Sequence, residues 1–172
     1  AYTSANQGNS LVIDIGGAST EVIIGNDMTP IHLVSINMGC VTFKERFFAD
    51  GNISEENFEH AINEAKSLLA PVINDFISFD WQQCLGASGT PQAITEILVT
   101  QGISDSIRID YLHNLKQQCI DCVNIDLLQI EGLTESRRAI FPSGLAILIA
   151  LFEQLDIQEM QISGGALREG LI

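Results

Sequence analysis

Hydrophobic and polar positions change period several times along this chain. Residues 10 to 15, 21 to 26 and 31 to 38 are rich in β-branched side chains and are separated by turn residues, which predicts three consecutive strands in an antiparallel meander. The stretch "NDMTP" (26 to 30) is the second of those turns. Gly39 to Asp50 reads as a short helix carrying Phe43, Phe47 and Phe48, closed by Gly51 as a C′ residue. A longer helix follows, with Ser54 as N-cap and Glu55 and Glu56 at the positive end of its dipole. Phe58, Ile62, Ala65, Leu69, Val72 and Phe76 recur at helical spacing, so one face is core, and Pro71 is expected to kink or divide the helix.

Gln83 to Ala87 reads as a strand, and Pro91 to Thr100 as a helix capped by Thr90. Asp110 to Cys122 carries Leu112, Leu115, Cys119 and Cys122 on one helical face. Thr134 is a further N-cap, residues 143 to 155 form a buried helix, Met160 to Ile162 a last strand, and Gly164-Gly165 leads into a terminal helix. The order β-β-β-α-α-β-α-α-α-β-α predicts an α/β fold with a mixed sheet covered by helices.

Candidate chemistry gathers where strands end. "LVIDIGGASTEVIIGND" places Gly16-Gly17-Ala18-Ser19-Thr20 between two apolar runs, with Asp14 before the loop and Glu21 after it. "LGASGTPQAI" runs through Ser88-Gly89-Thr90 into a helix, and "QISGGALREG" runs through Ser163-Gly164-Gly165 toward Arg168. Glycine permits positive φ and close backbone approach, successive N–H groups form an anion nest, and a helix N-terminus adds partial positive charge. One such loop is ordinarily a turn, and none is a Walker A or dinucleotide sequence. Three at strand ends point to the place where open α/β sheets bind ligands.

Asp14 has opposite parity to Ile13 and Ile15, and Glu21 opens the next strand. Two acids beside a phosphate cradle suit Mg²⁺ or a hydrolytic water. Spacing alone leaves a second reading level with it, in which Asp14 caps the loop and Glu21 is solvated. Arg168 offers a fork for phosphate or an ion pair with Glu169; Arg137 and Arg138 read as surface or interdomain residues; His32, His60 and His113 are scattered without a triad partner.

Composition narrows the partners. In 172 residues, 8 Lys and Arg face 22 Asp and Glu, a net charge of −14 that repels nucleic acid and anionic membranes. Phosphate would therefore be handled by backbone N–H groups, a few placed side chains or a divalent cation. A hydrophobic content of 46% is enough for a core. The longest apolar stretch, residues 139 to 152, is short and broken by Pro-Ser-Gly, so it reads as a buried helix and not a membrane span. Cys119 and Cys122 lack a second pair or nearby His for zinc and read as buried thiols. Reduced cysteines, and a polar start in place of a signal peptide, fit a cytoplasmic protein.

"VIDIGGASTE", "NMGCVTFKERFF", "LGASGT", "FPSGLAIL" and "GGALREG" together resemble the exopolyphosphatase/guanosine pentaphosphate phosphatase (Ppx/GppA) family, from about Asn9 to Ile172 and in the family's order. "ERFFAD" and "FPSGLAILIA" lean toward its guanosine pentaphosphate branch. The resemblance implies a ribonuclease-H-like fold of the actin, sugar kinase and Hsp70 superfamily, with a five-stranded mixed sheet and helices on both faces. It makes residues 9–172 the second domain of a two-domain phosphatase core, with 1–8 a polar lead-in. It implies Mg²⁺-dependent removal of terminal phosphate from guanosine pentaphosphate or inorganic polyphosphate. Asp14 and Glu21 become the metal or water ligands; Gly16, Gly17, Ser19 and Thr20 one phosphate loop; Ser88, Gly89 and Thr90 a second; Gly164, Gly165 and Arg168 the substrate end. Ala18 departs from the family, which often has glycine there. The implied partners are the polyanionic substrate, the first domain in the same chain, which carries the general-base glutamate, and a second copy as homodimer. The competing readings are an exopolyphosphatase, a phospho-ligand sensor without turnover, and half of a sugar or acetate kinase.

Overall fold

The computed structural model describes residues 8–26 and 29–163. Five strands form one mixed sheet: β1 (Ser10–Ile15), β2 (Thr20–Asn26), β3 (Thr29–Ile36), β4 (Gln83–Ala87) and β5 (Gln161–Ile162). Their spatial order is β3-β2-β1-β4-β5. The first three pair antiparallel, as the meander predicts, and β4 and β5 add in parallel beside β1. This is the sheet expected of the ribonuclease-H-like fold. The helices are α1 (Cys40–Phe47), α2 (Glu55–Ile77), α3 (Gly89–Thr100), α4 (Ile109–Cys122) and α5 (Phe141–Leu155), with 3₁₀ turns at Ile125–Leu127 and Glu135–Ile140.

The central strand β1 alternates across the sheet. Leu11, Ile13 and Ile15 join the main core with Val22, Ile24 and Cys84, and all five helices bury side chains into that same cluster. On the opposite face Val12, Ile23 and Leu85 make a small second cluster. Asp14 and Glu21 share that second face, because side chains two apart on a strand point the same way. Along the outer strand β3 the matching positions Ile31 and Leu33 are 48% and 52% exposed.

α5 is the spine of the core: Phe141 to Phe152 are all buried. With the preceding turn it makes a helical stretch, Glu135–Leu155, apolar and long enough at 21 residues to cross a membrane, yet 72% of its most apolar window is buried inside the fold. Its hydrophobicity is thus explained by packing.

Several local expectations need correction. Pro71 does not divide α2, which is continuous over 23 residues. Pro71 and Ser67, whose carbonyl loses its usual donor, both lie on the exposed side, where water replaces the missing bond. Ser54 does cap α2, its Oγ accepting from the Asn57 N–H at 3.0 Å. α1 ends at Phe47, short of the expected boundary; Gly51, at φ +83°, closes a separate turn. α3 begins at Gly89 with Ser88 as N-cap, which places Thr90 inside the helix, 5% exposed. Thr134 precedes a 3₁₀ turn and makes no side-chain cap. The expected terminal helix, with Gly164, Gly165 and Arg168, lies outside the described residues.

Candidate functional site

The antiparallel register sets Asp14 directly opposite Glu21, and Ile15 opposite Thr20. Residues opposed in this way have Cβ atoms roughly 5 Å apart on the same face. The parallel register on the other side sets Asp14 beside Ala87. The chain leaves β4 one residue later, and the Ser88 hydroxyl donates to Asp14 Oδ1. Glu21 Oε2 accepts from Ser19 Oγ at 3.0 Å and from Ser35 Oγ at 2.7 Å. Each carboxylate is therefore oriented through one oxygen, and the other oxygen of each has no hydrogen-bond donor among the described residues.

The loop between them is shaped by α1. Gly16 N–H donates to the Ser19 carbonyl at 2.8 Å and closes the turn. The Gly16 carbonyl accepts from Cys40 N–H, and the Gly17 carbonyl from Val41 and Thr42 N–H, at 2.9 to 3.1 Å. The first amides of α1 are thus satisfied by loop carbonyls, turning those carbonyls toward the helix. The N–H groups of Gly17, Ala18 and Ser19 have no acceptor among the described residues. Three successive donors in an exposed loop, beside two oriented carboxylates, form an anion cradle.

Glycine works here by close approach. Neither Gly16 nor Gly17 has positive φ. A Cβ on Gly39 would stand 2.3 Å from the carbonyl carbon of Gly17, so the start of α1 rests directly on the loop. Positive φ falls instead on Ser88, at φ 74° and ψ −171°. That region is almost confined to glycine and costs a non-glycine residue roughly 1–3 kcal/mol. The strained residue is the one whose hydroxyl reaches Asp14.

Thr20 lies elsewhere from its expected place. It is 0% exposed, and its hydroxyl donates to the Met38 carbonyl at 2.8 Å, which ties the loop to the approach of α1. Its side chain therefore serves the fold. Thr90 is likewise turned inward, against α5: a Cβ on Gly144 would lie 2.4 Å from its Oγ1. Next to Gly144, buried Ser143 donates to the Cys40 carbonyl at 2.6 Å. The "FPSG" sequence thus clamps both glycine junctions onto α5.

Arg137, read from the sequence as a surface or interdomain residue, is partly exposed and lies beside the second glycine junction. A Cβ on Gly89 would fall 1.8 Å from its Nη1, so the guanidinium lies against the first residue of α3, next to Ser88. It also faces the start of α1. Burial raises the Cys40 thiol above its ordinary value, and a backbone hydrogen bond and the positive charge of Arg137 pull against that rise. Arg137 has no ion pair within 4.0 Å among the described residues, an unusual position in so acidic a chain. The available signal was its place in "SRRAIFPSG", four residues before the start of α5.

Comparison with known proteins agrees with this geometry. The sequence profile of the Ppx/GppA phosphatase family matches residues 1–172. A protein of Pseudoalteromonas atlantica named guanosine-5'-triphosphate,3'-diphosphate pyrophosphatase is 78% identical across the whole chain, which covers 34% of that protein. One of the same name from Aeromonas hydrophila is 51% identical, with 35% of it covered. The chain thus spans about a third of the length of these relatives. Among solved structures, the Aquifex aeolicus PPX-GPPA enzyme superposes with a TM-score of 0.77 at 18% identity, over 99% of this chain and 58% of that one. A Cytophaga hutchinsonii exopolyphosphatase gives 0.77 at 22% identity, over 95% and 55%. These structural likenesses show the shared fold.

Proposed function

The chain belongs to the Ppx/GppA phosphatase family, and from that premise we propose that the whole protein is a phosphoanhydride hydrolase releasing the terminal phosphate of guanosine pentaphosphate, with these residues forming one wall of its site. The observation that carries the reading is the cradle: three consecutive N–H donors at Gly17, Ala18 and Ser19 beside the opposed pair Asp14 and Glu21. The names of the 78% and 51% identical relatives support guanosine pentaphosphate as substrate.

In this reading the amides of Gly17, Ala18 and Ser19 and of the Ser88–Gly89 turn, aided by Arg137, hold phosphate oxygens. Donors aimed at developing charge are most effective where they are already in place, and both loops are held by α1 and α5. Asp14 and Glu21 direct the attacking water or carry Mg²⁺. Two carboxylates, each with one oxygen not otherwise engaged, fit the few protein ligands Mg²⁺ takes alongside water and phosphate. Mg²⁺ held by these two carboxylates would supply positive charge against the phosphoryl oxygens. Gly164, Gly165 and Arg168 are assigned to the far end of the substrate. The second wall, and the general-base glutamate, we place in the remaining length of the protein, paired with this domain, and we assign the complete molecule as a homodimer. Four free cysteines suit a cytoplasmic setting.

The test is phosphate release by the full-length protein from guanosine pentaphosphate and from long polyphosphate, with and without Mg²⁺. Faster, Mg²⁺-dependent turnover of the pentaphosphate is expected. Equal or greater rates on polyphosphate overturn the substrate assignment, and no release from either overturns the enzyme.

A further inference from the structure

At the other end of β4, away from the glycine junctions, a cavity of about 410 Å³ opens between that strand and the segment leaving α5. Trp81 forms part of its wall, with Gln83, Asp156, Gln158, Glu159 and Gln161 around it. Among the described residues, no Lys, Arg or His lines it. Gln83 and Ala87 are the ends of β4, and Asp14 pairs with Ala87. Four residues of strand put the cavity about 13 Å from the phosphate cradle. Nothing in the proposed hydrolysis uses it.

The chemistry of the lining selects a ligand. Two carboxylates without a cation repel phosphates, so the cavity does not suit the substrate. The carboxylates are held in place: Glu159 accepts from Ser106 Oγ at 3.0 Å, and Asp156 accepts from Gln158 Nε2 at 3.1 Å. Asp156 is further held as the left-handed cap of α5, at φ 53°. The indole offers an apolar face that also attracts cations, and the glutamine side-chain carbonyls accept N–H bonds. The volume is that of an ordinary small-molecule site. An ammonium group is satisfied by carboxylate and amide oxygens, and an aliphatic chain by the indole. We propose that this cavity is a binding site for an aliphatic di- or polyamine, its methylene chain along Trp81 and its ammonium groups on Asp156 and Glu159.

Trp81 is the sole tryptophan of the 172 residues and reports on the site. Full-length protein is titrated with 1,4-diaminobutane and with spermidine at ionic strength held constant by NaCl, and tryptophan emission is followed. The same titration of Trp81→Phe removes the contribution of any other tryptophan. A saturable change confined to the parent is expected. The double variant Asp156→Asn, Glu159→Gln should bind at least about tenfold more weakly, the equivalent of about 1.4 kcal/mol. Both substitutions keep the fold: asparagine tolerates the left-handed conformation, and glutamine still accepts from Ser106. Calorimetric titration of the same proteins gives the second readout. Absence of saturable binding, reproduction of the signal by NaCl, or unchanged affinity in the double variant overturns the site, and none of these results bears on phosphate release.

Discussion

The hydroxyl of Ser88 donates to Oδ1 of Asp14, joining residues 74 positions apart. Asp14 is the penultimate residue of β1 and Ser88 directly follows β4, so the bond exists only because those strands pair in parallel. Ser88 makes it from a backbone conformation that favours glycine.

Two substitutions at Ser88 separate strain from chemistry. Ser88→Gly relieves the backbone and loses the hydroxyl; Ser88→Ala loses the hydroxyl and keeps the strain. Denaturant unfolding should find Ser88→Gly more stable than Ser88→Ala by roughly 1–2 kcal/mol. Phosphate release by the full-length protein should fall in both. Retention of full activity by Ser88→Gly would show that the hydroxyl has no part in orienting Asp14.

Asp14→Asn and Glu21→Gln keep the hydrogen-bond acceptors for Ser88, Ser19 and Ser35 while removing charge. Thermal melting should therefore change little. Steady-state turnover of the full-length protein should drop by about 10²–10⁴-fold, the range for losing a group that handles the reacting water or its metal. An unaltered rate in either variant removes that carboxylate from the site.

Two glycines make a contrast in how close approach is used. A methyl on Gly39 meets the backbone of Gly17 at 2.3 Å, which has nowhere to go. Gly39→Ala should cost about 3 kcal/mol or more and disturb the cradle. A methyl on Gly89 meets the end of a flexible arginine at 1.8 Å. Gly89→Ala should leave the melting temperature nearly unchanged while displacing Arg137, and its kinetic defect should match that of Arg137→Gln. A normal rate in both would place Arg137 outside substrate binding.

The buried thiols predict an alkaline limit. Burial pushes the Cys84 thiol from its ordinary 9.0 up to about 12, and burial together with the neighbouring Cys122 raises Cys119 as well. The unfolded chain ionises these groups first, so the stability they confer is complete below pH 9. It is lost as the pH climbs from there through the raised folded values. Denaturation at stepped pH should show this loss, and Cys84→Ala should flatten the part of the slope between 9 and about 12. A thiol reagent at pH 8 should modify partly exposed Cys122 and reach Cys84 and Cys119 only after unfolding.

Short-range features were determined by the sequence alone. Alternation in β1 put Asp14 on the face opposite Ile13 and Ile15, the turn residues fixed the meander, and Ser54 with its two glutamates started α2. These depend on side-chain period and local hydrogen bonding, which neighbours in sequence decide. The five quoted motifs also marked the family. Tertiary structure decided the rest. Thr20 and Thr90, equivalent in sequence to their hydroxyl-bearing neighbours, were turned inward because the Met38 carbonyl and the bare surface of Gly144 wait for them. Arg137 became part of the site because α5 packs across both junctions, bringing the preceding turn against Gly89. The amides of Gly17, Ala18 and Ser19 are left without an acceptor among the described residues, while the start of α1 claims the loop carbonyls at Gly16 and Gly17. Hydrogen bonds and contacts between residues 18 to 54 positions apart make these choices, and such partners have no periodic trace in a single sequence.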